Sequence, residues 1–293
     1  MSAPRWEIEG RNWPHRAASR FVEAGGLTWH VQTMGNGPAI VLLHGTGAAT
    51  HSWRGVMPLL AESFTVIAMD LPGHAFTRGR VRGGPTLPAI AGAVSELLDT
   101  LNVSPAVLVG HSAGAAIALR MVHDSADETP VIGLSPALMP FPGLAAKLFP
   151  ALAKALFVNP FAPGIFSRMA RMAGETERFL QRATASRIDA DGLRCYRALL
   201  ATSEHCGGAL AMMANWDLAA LAAMLPKIAS PVLMVHGGND AAIPLASVRQ
   251  AGALLPSSEL EVLDGLGHLA HEERPDLAVA AIMRCAVDHA MMA

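Results

Sequence analysis

The sequence predicts an α/β fold, a doubly wound sheet with helices on both faces and a helical insertion near its middle. Three observations carry this prediction. Five apolar runs punctuate the chain: Ala39–His44, Phe64–Asp70, Ala106–Gly110, Val131–Ser135 and Val232–Gly237. Continuous apolar runs, as opposed to alternating ones, are what strands buried on both faces of a parallel sheet look like. Between two of them, Ile90, Val94, Leu97, Leu98 and Leu101 fall on one helical face, which suits packing on a sheet. Then, from about 136 to 226, the rhythm stops, and only helical patterns, prolines, alanines and methionines appear.

Along the chain, "RFVEAGGLTWHVQTMG" places two short strand-like runs around Gly25-Gly26, a hairpin signal. The core is expected in two parts, 1–135 and 227–293, with a helical cap over 136–226 between them. The cap opens on "FPGLAAKLFPALAKALFVNPFAPGIF", residues 141–166. A membrane span needs about 20 apolar residues in a row. Pro142, Pro150, Pro160 and Pro163 interrupt this stretch, and Lys147 and Lys154 divide its first half, so short amphipathic helices are expected instead. As the leading part of a lid, it offers Phe149, Phe157, Phe161 and Phe166 as candidate contacts for a flat apolar ligand, with lid packing as the alternative role for each. The same surface suits peripheral contact with a membrane.

Composition narrows the function classes. Hydrophobic residues make up 52% of the 293 and charged residues only 16%, against roughly 25% charged in an average soluble domain. This points to a large core, an apolar surface, or both. A net charge of -2 supplies no basic field for phosphates, which argues against a nucleic-acid partner. Cys195, Cys206 and Cys285 form neither a disulfide framework nor a metal-binding spacing, and the charged N-terminus lacks the apolar segment of a signal peptide. A cytoplasmic protein without metal or cofactor is expected.

The chemistry-bearing residues follow the strands. In "VLVGHSAGAAIALRMV" a strand-like run meets Gly110-His111-Ser112-Ala113-Gly114 and an alanine-rich helix follows. In that context G-x-S-x-G is a strained strand-to-helix turn that exposes a serine hydroxyl at a helix N-terminus. The alternative is a glycine-rich loop with an incidental serine. A serine needs a base and an orienting acid, expected in the order serine, acid, histidine, each just past a strand. Asp240 in "PVLMVHGGNDAAIP" and His268 in "LEVLDGLGHLAHEERP" occupy those places. Asp264 and His271 are weaker rivals, and His111 and His236 suit packing better than catalysis. An oxyanion hole is expected from the backbone N–H groups of Ala113 and of Thr46 in "HGTGAATHSW". That loop lacks the G-x-G-x-x-G spacing and the phosphate-binding lysine of nucleotide sites. Just beyond it, Trp53 and Arg54 are candidates for the pocket rim, Arg54 as a carboxylate partner, with an ordinary helix start as the alternative.

"LLHGTG", "MDLPGHAFTR", "GHSAG", "HGGND" and "GHLAHEERP" together resemble an α/β-hydrolase with an inserted cap, from about Phe21 to the C-terminus. More narrowly, "NWPHRAASRFVEAGGLTWHVQTMG" and "LLHGTGAATHSWRG" resemble the BchO family, described as magnesium-chelatase accessory or 30 kDa subunits of bacteriochlorophyll biosynthesis. The superfamily resemblance implies an eight-stranded, mostly parallel sheet and catalytic roles for Ser112, Asp240 and His268. The narrower one implies a role beside magnesium insertion, with a porphyrin or chlorophyll-type ester as the substrate class and a chelatase subunit as a partner. The alternative to the hydrolase is a non-catalytic accessory or porphyrin-binding protein with an inherited triad. One departure is Ala75, where relatives carry glycine. In the same motif Asp70 suits fixing a loop better than catalysis.

Overall fold

The computed structural model describes residues 2–140, 159 and 161–290, with side chains to Ala286 at the C-terminal end. β1 (Ser19–Ala24) and β2 (Leu27–Met34) form the antiparallel hairpin, turning at Gly25 and Gly26, both at positive φ. β3 (Ala39–Leu43), β4 (Thr65–Met69) and the two-residue β5 (Arg78–Gly79) follow, then β6 (Pro105–His111), β7 (Val131–Leu134), β8 (Val232–Gly237) and β9 (Ser258–Leu263). The strand order is β1-β2-β4-β3-β6-β7-β8-β9, with β5 beside β2. Every pair from β4 to β9 is parallel, and β2 meets β4 antiparallel. The eight-strand expectation is therefore met along this path, and β5 is an addition that the sequence pattern did not mark.

β3 shows why the apolar runs do not alternate. Ile40 and Leu42 pack on one face of the sheet with Val66, Ala68, Val107 and Val109. Val41 and Leu43 pack on the other with Ile67, Met69 and Leu108. Successive side chains still point to opposite faces, but both faces are cores, so every position must be apolar.

α1 (Val56–Leu60), α2 (Leu87–Thr100) and α3 (Ala113–Ser125) cover the first half. α2 starts where the Thr86 side chain accepts the N–H of Ala89 and Pro88 fills the first turn. It buries Ile90, Val94, Leu97 and Leu98. In α3, Ala115, Ala116 and Ala118 are fully buried, and their small side chains seat the helix closely on the sheet.

Between β7 and β8 the described residues form only helices: α4 (Ala162–Ala170), α5 (Glu175–Thr184), α6 (Ala190–Leu200), α7 (Ser203–Asn215), α8 (Leu218–Met224) and a short 3-10 turn. α9 (Leu245–Leu254), α10 (Ala270–Glu273) and α11 (Pro275–Ala290) complete the core. From β3 the chain winds first to β4 and then back to β6 on the other side. This reversal opens a crevice at the carboxyl ends of β3 and β6, where doubly wound sheets bind ligands.

α7 meets the core by direct backbone contact. A Cβ on Gly208 would lie 1.9 Å from the carbonyl oxygen of Gly73, in the loop after β4. Gly208→Ala should therefore push α7 off that loop and destabilise the protein by about 1–3 kcal/mol, as overpacking does. Chemical denaturation will check this, and Gly164→Ala, where a Cβ meets nothing within 4 Å, is the control.

Candidate active site

Ser112 sits between the last residue of β6 and the first of α3, with φ 51° and ψ −111°. Left-handed backbone at a residue with a Cβ costs about 1–3 kcal/mol, so surrounding contacts must hold it. A Cβ on Gly110 would lie 2.3 Å from the N of Ala115, and one on Gly114 would lie 2.0 Å from the carbonyl oxygen of Leu43. Only glycine lets β6, α3 and the end of β3 approach this closely. The Ser112 N–H donates to Leu134 O at 2.9 Å, and its carbonyl accepts from Ala115 and Ala137. The serine thus stands over a helix N-terminus whose first N–H groups carry partial positive charge.

Two loops bring an acid and a base. Asp240 follows β8, and its carboxylate is buried. Its Oδ1 accepts the N–H groups of Ala242 and Ile243 at 2.7 and 2.8 Å, which leaves Oδ2 for the Nδ1–H of His268 at 2.7 Å. Burial pushes the Asp240 carboxyl up, but the bond from His268 and the donors around it bring it below its ordinary value. This bond fixes the proton on Nδ1 and leaves Nε2 as an acceptor. His268 is tied to the serine's neighbour as well: His111 donates its Nε2–H to His268 O at 3.1 Å, and the two rings lie 4.7 Å apart.

The loop after β3 passes against the serine. A Cβ on Gly45 would lie 3.1 Å from Ser112 Cβ and 2.7 Å from His111 Nδ1. His44 holds the start of this loop, accepting the N–H of Leu71 at Nε2 and donating from Nδ1 to Gly45 O. Thr46, next along, donates its hydroxyl to the sulfur of Met212 on α7 at 3.2 Å. Asp70 fixes the loop's far end. It is fully buried and accepts from the N–H groups of Thr50 and Phe76 and from His30 Nδ1. Burial opposes its ionisation, yet His30 and Thr50 hold it well below the ordinary carboxylate range. Ala75 takes a φ of 41° and is held by its N–H bond to His205.

The predicted rim residues lie elsewhere. Trp53 is fully buried in the core, with its ring 4.8 Å from that of His271, because the loop turns inward at Thr50–Trp53. It lines no rim. Arg54 is engaged: it pairs with the buried Glu272, which also accepts from Tyr196 and Ser52 at 2.6 and 2.5 Å, and with Asp189 at 2.9 Å. Its guanidinium already has two carboxylates. Phe161 and Phe166 are on the surface, 73% and 39% exposed, and Phe149 and Phe157 fall outside the described residues. Asp264 is exposed at the turn after β9, and His271 lies in α10 with its Nε2 on Ser52 Oγ at 3.0 Å.

Sequence reasoning missed Met212 and the role of His205. The latter accepts the Ala75 N–H at Nδ1 and donates from Nε2 to Gly47 O, joining α7 to both loops. Its neighbours Gly207-Gly208 were the available signal, since paired glycines in a helix mark a close backbone approach. Among the described residues, no cluster of histidine, cysteine or acidic side chains could hold a metal ion.

Residues 38–275 match the family described as alpha/beta hydrolase fold. The chain belongs to the α/β-hydrolase-fold family. Among its relatives, the magnesium-chelatase 30 kDa subunit of Rhodobacter capsulatus is 40% identical, over 90% of this chain and 93% of that protein. The pimeloyl-[acyl-carrier protein] methyl ester esterase of Aromatoleum aromaticum is 30% identical, over 85% of this chain and 99% of that one. Among solved structures, the epoxide hydrolase CorEH superposes with a TM-score of 0.78 over 92% of this chain and 98% of that one, at 24% identity, which speaks for the fold.

This α/β-hydrolase-fold chain buries many of its imidazoles. His44, His51, His74, His111, His205, His236 and His271 all have pKa values lowered by burial, His205 to about 4 and His271 to about 3. Each stays neutral in the folded protein where the unfolded chain takes up a proton, near pH 6.5. The unfolded state therefore binds more protons, so this stability is whole above about pH 6.5 and is lost as pH falls toward the folded values. The depressed Asp70 and Asp240 act in the same direction, below the ordinary carboxylate value. Glu272, raised by burial, acts in the opposite one. The urea midpoint should fall steadily from pH 7 to pH 4.5, and a flat profile would contradict neutral burial of these rings.

Proposed function

We propose that the protein is a serine hydrolase acting on a carboxylic ester or similar acyl bond of a large apolar substrate. The observation that carries this is the Asp240–His268 bond, which fixes the imidazole's tautomer on a loop bonded to the residue before Ser112. In this reading Ser112 Oγ attacks the carbonyl carbon while His268 Nε2 takes the hydroxyl proton. The oxyanion is met by the N–H groups of Thr46 and Ala113. His268 passes the proton to the leaving alkoxide, then activates a water that frees the acid and restores the serine. The inserted helices serve as the lid. The named activity of the 30%-identical esterase supports an ester bond.

The 40%-identical relative, named a magnesium-chelatase 30 kDa subunit, supports a place beside magnesium insertion, which we read as a role in bacteriochlorophyll biosynthesis with a porphyrin or chlorophyll-type ester as substrate. Ile165 and Met169 of α4 are exposed, as are Phe161 before the helix and Met172 after it, which suits peripheral contact of a cytoplasmic protein with photosynthetic membranes. Among the described residues, no single helix is long and apolar enough to cross a membrane. That relative's name also favours a second reading, a non-catalytic chelatase accessory protein whose pocket binds porphyrin.

A fluorophosphonate should label the wild-type protein and not Ser112→Ala. Asp240→Asn should reduce p-nitrophenyl ester hydrolysis by roughly 10⁴-fold, through loss of the productive tautomer. If Ser112→Ala restores bacteriochlorophyll synthesis in a deletion strain as fully as wild type, the accessory reading replaces the catalytic one.

A further inference from the structure

The loop that carries His268 is held from outside the core. Three successive backbone N–H groups in it need acceptors. That of Gly267 goes to Glu273 Oε1 at 2.8 Å, and the other oxygen of the same carboxylate takes the N–H of Arg187 at 3.1 Å. That of His268 goes to Thr184 O at 2.8 Å, and that of Leu269 to Ser186 Oγ at 2.9 Å. Thr184, Ser186 and Arg187 belong to the inserted helices, in the turn that ends α5.

That turn is shaped for the contact. Ala185 takes a left-handed φ of 55°, and Thr184 Oγ1 accepts the N–H of Ser186 at 3.1 Å. Thr184 and Ser186 are 8% and 3% exposed, so the bonds are shielded from water. Gly267 lies directly against them: a Cβ there would sit 2.4 Å from Ser186 Oγ and 2.5 Å from Thr184 O. The far side of the same stretch is held too, by Tyr196 of α6 on Glu272 and by Asp189 through Arg54.

We propose that residues 184–187 form a clasp on the histidine loop, with Ser186 as a positioning residue, so that seating of the inserted helices sets the place of the catalytic base. This rests on the serine-hydrolase reading for His268. The physical ground is that buried N–H groups require partners, and those of His268 and Leu269 lie on the inserted helices. Lifting the insertion strips acceptors from His268 and Leu269 and frees the imidazole's main chain. Substrate binding beneath the lid and alignment of the base are then one event.

Ser186→Ala removes one acceptor and only a hydroxyl of volume, and Gly267→Ala wedges the clasp open. On p-nitrophenyl acetate, Ser186→Ala should lower kcat about tenfold, within the scale that a small misplacement of a catalytic group costs, with KM changed less than about twofold. Amide exchange measured on the full chain should quicken at 267–269 in both variants, and at 184–187 in Gly267→Ala. An unchanged kcat with only a lower Tm would make the bonds merely structural and overturn the proposal. If wild type neither hydrolyses nor labels, the serine-hydrolase reading fails. The clasp is then decided by exchange alone, and equal exchange at 267–269 in Ser186→Ala and wild type rejects it. Ser186→Ala keeps the test readable if Gly267→Ala does not fold.

Discussion

Everything at the site depends on one close approach, that of α3 to the ends of β3 and β6. Gly114 meets the carbonyl of Leu43 and Gly110 meets the first turn of α3 at distances no Cβ allows. That contact forces the chain to turn sharply at Ser112 and imposes its left-handed backbone. It also brings the loop after β3 over the serine, because Gly45 can lie against Ser112 Cβ only if β3 and β6 are neighbours in register. The strand order, the strained residue and the candidate oxyanion loop are consequences of one packing decision.

Around this centre, buried carboxylates act as fixed acceptors. Asp70 gathers the loop after β3 and the loop after β4, Asp240 holds His268, and Glu272 gathers Arg54, Tyr196 and Ser52. Each is bound only by donors, which suits an ionised carboxylate in a dry site. Buried histidines take the complementary part. A backbone N–H donates to His44 Nε2 and another to His205 Nδ1, so in each ring the other nitrogen must carry the proton. Directional bonds of this kind set loop positions more sharply than apolar contact does.

The sheet was legible because burial on both faces leaves no polar positions, and the chain shows that directly in "AIVLLH" and "VLMVHG". The strand-to-helix turn at Ser112 was legible because its steric demand falls on glycine at two fixed places. Asp240 and His268 followed from chain order and strand ends. What remained hidden was polar and non-local. Arg54 reads as a rim cation for a substrate carboxylate, since nothing in "THSWRG" reveals a protein carboxylate at position 272. Trp53 reads as a rim aromatic because sequence does not show that its loop turns inward. Thr184 and Ser186 carry no motif, because one acts through its backbone carbonyl and the other through a hydroxyl that many residues could mimic.

The balance between catalysis and accessory binding can be weighed on energetic grounds. An apolar pocket for a flat ligand requires shape and a few polar groups that fix orientation. It gains nothing from a serine held in a conformation that costs about 1–3 kcal/mol. Nor does it gain from an aspartate whose Oδ1 is saturated by two amides, so that Oδ2 faces a histidine. Those features are costly in a domain whose net stability is roughly 5–15 kcal/mol. They are useful to a reaction in which a proton leaves a hydroxyl and returns to a leaving group. The bonds from the inserted helices to the histidine loop extend the same ordering beyond the core, and this is why we propose chemistry at Ser112 and not passive binding above it.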